Sequence, residues 1–191
     1  MLYSSILKSS LLIERTLNPV LWEELLHSRH PNHQLPSGSL EKMANSQVFA
    51  ILPMVLFPLA SRLTLGFTIL QERGTARDFA LRYGHRADLD HSSPDDAQRF
   101  IGRGLYLPRF VGRKLYRECS EAIGVDLIDQ PDSILTDASV LVAVAEWQIE
   151  RAIPTAGKSL NQWAIALGGD SRMVEPIKDT MAKWLYDTRS N

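Results

Sequence analysis

The chain has 191 residues, 45% of them hydrophobic and 23% charged, with a formal net charge of −1 at pH 7. That size supports one domain with a real buried core and is short for two, and the near-neutral balance excludes an overall basic excess that would recruit nucleic acid. A single cysteine, Cys119, excludes an internal disulfide framework and is compatible with a reducing compartment.

Taken from the N-terminus, MLYSSILKSSLLIER holds an apolar block interrupted by serines, with no small-residue cleavage site after it. The expectation is a chain cytoplasmic as synthesised. Val20 to Leu26 reads as a short amphipathic helix behind Pro19, with Trp22, Leu25 and Leu26 at helical spacing. His27 to Ser39 is punctuated by Pro31, Pro36 and Gly38 and reads as a loop. Its histidines, His27, His30 and His33, have no companion cluster of Cys, Asp or Glu, so neither a metal nor another cofactor is expected. VFAILPMVLFPLA, residues 48–60, is the most apolar stretch; a membrane span needs about 20 consecutive apolar residues. Pro53, Pro58 and Arg62 interrupt it, and a buried helix pair is the expectation rather than a span.

From Thr75 to Tyr83 the pattern is helical, with Phe79, Leu81 and Tyr83 available for packing, and Asp88 to Ala97 is polar and turn-rich. Asp95 and Asp96 are placed to cap the element that follows. Gly102 and Gly104 permit close backbone approach or positive φ, and Arg103 between them suits pairing with a buried carboxylate. Arg99, Arg103, Arg109, Arg113 and Arg117 recur with Phe100, Tyr106, Phe110 and Tyr116 interleaved. That mixture fits a sugar-stacking groove, a nucleic-acid surface, against which the near-neutral net charge argues, or a charged outer face over an aromatic inner one. RKLYRECSEAIG is helical, with Cys119 expected as a buried, inert thiol. Asp137 or Ser139 caps a predicted helix running to Pro154, with Val140, Val144, Trp147 and Ile149 as core positions. TAGKSLN lacks the upstream glycine of a phosphate loop. Two further helical stretches, 160–167 and 173–186, flank Gly168-Gly169-Asp170.

The stretch from Arg86 to Tyr116, RADLDHSSPDDAQRFIGRGLYLPRFVGRKLY, resembles the central motif of family 19 glycoside hydrolases, the chitinases and phage-type endolysins of the lysozyme-like superfamily. In matching order stand Tyr83, Arg86, Ala87, Asp88, Leu89, Pro94, Asp96, Arg99, Phe100, Gly102, Arg103, Gly104, Leu105, Gly112, Arg113 and Tyr116. GVDLIDQPDSIL, residues 124–135, Trp147, and the pair Gly168-Gly169 extend the similarity over about the last 115 residues. The resemblance implies an all-α, lysozyme-like helical domain, with 76–191 as its core and 1–75 as a divergent helical part of the same domain. It further implies hydrolysis of β-1,4-linked N-acetylglucosamine polymers, peptidoglycan or chitin, as the polysaccharide partner. Neither nucleic acid nor a membrane is an expected partner.

The departures fall where that family does its chemistry. Inversion needs one carboxylic acid to protonate the leaving oxygen and a carboxylate to activate water on the opposite face. Here YLPRFV stands where the family has a shorter segment bearing glutamine and threonine, Leu167 replaces an asparagine, and no His-Glu-(Ser/Thr)-Gly-Gly motif occurs upstream. The upstream carboxylates are Glu14, Glu23, Glu24, Glu41 and Glu72. Glu72, after an apolar run and beside Arg73, is the candidate catalytic acid, and Arg86, Arg103, Tyr106 and Arg109 are the candidate substrate-groove residues. The alternative expectation is a homologue without turnover that serves as a glycan-binding or interaction module.

Overall fold

The computed structural model describes residues 35–46, 48, 70–105 and 110–156. The helix expected over 20–26, the histidine loop up to position 34, most of the apolar run and everything beyond 156 lie outside the described residues, as do Tyr106 and Arg109. Residues 34–39 and 69–148 belong to one compact unit, and 40–68 and 149–191 to another with 1–33.

The described residues are helical, without a strand, and the class is all-α. The elements are α1 (Ser39–Asn45), α2 (Ala76–Tyr83), a 3₁₀ turn (Ala87–Leu89), α3 (Asp96–Arg99), α4 (Arg113–Ile123), α5 (Ser133–Thr136) and α6 (Ala138–Ala156). One antiparallel bridge joins Gln71 to Arg103.

Local chemistry explains the boundaries. Thr75 opens α2 with a reciprocal capping box: its hydroxyl accepts from the Asp78 amide, and the Asp78 carboxylate accepts from the Thr75 amide at 2.8 Å. Phe79 and Tyr83, four residues apart, bury one face of α2. Leu81, expected to pack, is instead 66% exposed, because two residues from each it falls on the opposite side. Phe79, Tyr83, Leu89, Ala97, Ile101 and Val111 form one apolar cluster.

Asp95 holds the N-cap position of α3 but makes no side-chain cap. The Asp96 carboxylate turns back instead, accepting from the amides and hydroxyls of Ser92 and Ser93. Helix α6 begins as expected, with the Asp137 carboxylate accepting from the Ser139 amide at 2.7 Å. It runs past Pro154 to Ala156. Val140, Val144 and Ile149 are buried, as is Cys119, while Trp147 is partly exposed. Burial pushes the Cys119 thiol up to about 12, which suits an inert side chain.

Glycine closes both ends of α4. Gly112 (φ 92°) donates its amide to Phe100 O at 2.8 Å, and a Cβ there would lie 2.7 Å from Leu89 Cβ; Gly124 has φ 70° and open space around it. Gly112→Ala combines a left-handed strain with overlap against a buried leucine and is expected to cost about 3 kcal/mol. Gly124→Ala carries the strain alone, about 1 kcal/mol. Urea unfolding followed by circular dichroism measures both, and equal losses would contradict the packing argument.

Candidate active site around Glu72

The segment before α2 is laid against residues 102–104. The Glu72 amide donates to Gly102 O at 2.9 Å, and the Gly104 amide donates to Leu70 O at 2.8 Å. This fixes the Glu72 main chain. Its side chain is fixed as well, because Oε1 accepts from the Tyr83 hydroxyl at 2.7 Å and Oε2 accepts from the Gly102 amide at 2.9 Å. The Arg82 guanidinium stands 3.6 Å from Oε1, with the Glu72 side chain 20% exposed and that of Arg82 48%. Among the described residues these partners are two hydrogen-bond donors and a nearby cation. Burial and the bond to Glu72 push the Tyr83 phenol up to about 12, so it stays protonated and keeps donating.

Next to this carboxylate lies Arg103, with a side chain only 6% exposed. Its Nη1 donates to Arg99 O at 2.6 Å and to the Tyr116 hydroxyl at 3.1 Å, and its Nη2 pairs with Asp132 at 2.9 Å. Tyr116 passes its own proton to Ile101 O at 2.6 Å, and burial raises its phenol far above the ordinary range. The expected carboxylate partner is therefore present but not buried: the Asp132 side chain is 71% exposed. Arg103 ties α4 to the turn before α5 and presents no free face to a sugar.

The aromatic residues decide between the two readings of the Arg-aromatic stretch. Phe100, Phe110 and Tyr116 are at most 1% exposed. Tyr116 packs on Phe100 and Phe110 with centroids 5.2 and 4.5 Å away, and Phe110 meets the edge of Trp147. Their faces are used in the core, and the half-exposed arginines lie outside: Arg99 over Asp129 and Arg117 on Asp90. Arg86, a candidate groove residue, is held by Asp88 through two contacts at the surface. Of the candidates, then, Glu72 and Arg103 lie close in the fold and Arg86 stands in its own exposed pair.

Sequence reasoning missed Tyr83 and Gly102 as partners of Glu72. The available signal was the register of α2, which puts Tyr83 on the buried face with Phe79. Asp96 forms a separate polar node with Ser92, Ser93 and Arg113. Among the described residues no group of three or more His, Cys, Asp or Glu side chains is arranged to hold a metal ion. No described helix is long and apolar enough to cross a membrane. Comparison with protein-family models, with curated proteins and with solved structures gives no match.

Two outcomes follow from these networks. Arg103→Ala removes the donor to Arg99 O and Tyr116 from a buried site and is expected to cost about 3 kcal/mol, whereas Asp132→Ala, at an exposed partner, is expected to cost under about 1 kcal/mol. Urea midpoints of the two variants test that asymmetry. For Asp96, burial alone would raise the pKa, but the hydrogen bonds from Ser92 and Ser93 outweigh it and the net shift is downward. A folded-state pKa below the unfolded one stabilises above about pH 4 and is lost as pH falls through the folded value. Asp96→Asn should therefore be less stable than the parent at pH 7, with the gap closing in acid; a gap independent of pH would refute it.

Proposed function

We propose that this protein is a glycoside hydrolase of the lysozyme-like, family 19 type, acting on β-1,4-linked N-acetylglucosamine polymers, with Glu72 as the carboxylate that activates water. The observation that carries this reading is the setting of Glu72: a partly exposed carboxylate held by two donors, the Tyr83 hydroxyl and the Gly102 amide, with the Arg82 guanidinium nearby. A carboxylate offers about four acceptor positions, and two hydrogen bonds leave others for water. Those free lone pairs are where a water proton can be accepted. The role is therefore that of the base of an inverting reaction rather than the acid expected from sequence.

In this scheme the Glu72 carboxylate accepts a proton from water as the water oxygen attacks the anomeric carbon. A second carboxylic acid on the opposite face protonates the departing oxygen. The Gly102 amide and the Tyr83 hydroxyl keep the base oriented throughout. The second reading, a glycan-binding protein without turnover, is favoured by the replacement of the family's glutamine and threonine segment with YLPRFV.

The test is the release of new reducing ends from purified peptidoglycan and from chitin oligosaccharides. Turnover by the parent and a loss of about 100-fold or more in Glu72→Gln, at an unchanged circular dichroism spectrum, are expected. Binding of either polymer without new reducing ends would establish the second reading instead.

A further inference from the structure

Glu72 is held by two donors from different parts of the unit, and they are not equivalent. Gly102 belongs, through its carbonyl, to a backbone pairing that would hold it beside position 72 whatever residue stood there, and its amide donates to Oε2 from that fixed place. The Tyr83 hydroxyl has no such duty. It reaches eleven residues back along the chain to Oε1, from the last position of α2. Resting on the reading of Glu72 as the base, we propose that Tyr83 is its positioning residue: the hydroxyl, set against the Gly102 amide, fixes the plane of the carboxylate and the direction in which its remaining lone pairs meet water.

The geometry that supports this is the rigidity of the phenol. Tyr83 is 8% exposed, and its ring lies nearly parallel to that of Phe79, at 7° with centroids 6.5 Å apart. The Arg82 guanidinium covers both rings, at 5.4 Å from Phe79 and 5.9 Å from Tyr83. Main-chain bonds from Gly84 to Ala80 O and from Arg86 to Tyr83 O hold the helix end that carries it. An immobile donor 2.7 Å from one oxygen, with an amide 2.9 Å from the other, leaves the carboxylate no free torsion.

Arg82 does not fill the same role. At 3.6 Å it is beyond hydrogen-bond distance of Oε1, and with a side chain 48% exposed its pull is screened by water. With the hydroxyl gone, the carboxylate is free to rotate toward Arg82 and turn its lone pairs away from the attacking water. Misplacement of a reacting group by about 1 Å costs on the order of 100-fold in rate. The loss is in the transition state and not in ground-state binding, so it appears in kcat and spares KM.

The experiment compares the full-length parent, Tyr83→Phe, Glu72→Gln and Thr75→Ala on soluble chitin oligosaccharides and on peptidoglycan. Tyr83→Phe should lower kcat about 10- to 100-fold with KM within about twofold. Thr75→Ala loses the α2 cap, lowers the urea midpoint and keeps kcat, which separates loss of stability from loss of positioning. Full kcat in Tyr83→Phe alongside an inactive Glu72→Gln would overturn the role of Tyr83 and leave the base assignment standing. No turnover by the parent, or full turnover by Glu72→Gln, would overturn both. Should Tyr83→Phe lose its cooperative transition, 4-methylphenylalanine at position 83 keeps the ring and fills the place of the hydroxyl without a donor. It should lower kcat about 10- to 100-fold with KM within about twofold, and an unchanged kcat would overturn the proposal.

Discussion

Gly102-Arg103-Gly104 is the constraint on which the described fold depends, because three consecutive residues face three different tasks. The Gly102 amide and carbonyl grip the side chain and main chain of Glu72. Arg103 sends a buried guanidinium the other way, to Arg99 O, Tyr116 and Asp132. Gly104 has φ 91°, and a Cβ there would sit 3.5 Å from Ile134 and 3.9 Å from Val144, so the backbone is brought close against α5 and α6. A side chain at Gly104 would force a left-handed strain at the point where both networks share a backbone. At Gly104 it is the positive φ, more than lack of space, that calls for glycine.

The electrostatics of this unit are local. Arg86 is matched to Asp88, Arg99 to Asp129, Arg113 to Asp96 and Arg117 to Asp90. The pairs of Arg86, Arg99 and Arg117 are exposed and contribute little stability each, typically up to about 1 kcal/mol, whereas that of Arg113 is largely buried. Each sets one arginine of this arginine-rich stretch against a carboxylate close in the fold. The Glu72 carboxylate differs in being held by the buried Tyr83 hydroxyl and a backbone amide while it retains contact with solvent.

Helical class, the start of α2 at Thr75, the burial of Cys119 and the start of α6 were legible in the sequence, because each depends on neighbours a few residues apart. Local patterns of capping and periodicity carry that information directly. Glu72 was identified as a candidate from its context, but its partners were not, since Gly102 lies thirty residues away and no periodicity links them. The aromatic residues were ambiguous for a related reason: an interleaved run of arginine and aromatic residues reads the same whether its rings face sugar or core. Packing around Tyr116 settles it for Phe100, Phe110 and Tyr116 themselves. Asp96 was expected at a cap and closes a serine turn instead, because two hydroxyls and two amides upstream offer more donors than a helix start does.

The pairing of residues 70–72 with 102–104 also closes a loop. Within it lie α2, the 3₁₀ turn and α3, and most of one apolar cluster: Phe79, Tyr83, Leu89, Ala97 and Ile101. Closure of a segment this short costs little more chain entropy than a loop half its length, about 0.6 kcal/mol per doubling. The core inside is therefore gathered by contacts close in sequence, and the clamp at its neck is the last tie holding the two ends together. Opening the neck and loosening the cluster become one event, so the Glu72 and Gly104 amides should exchange their hydrogens together with those inside α2. The residue proposed to handle a proton thus sits at the latch of a small cooperative folding unit, where chemical precision and local stability share the same bonds.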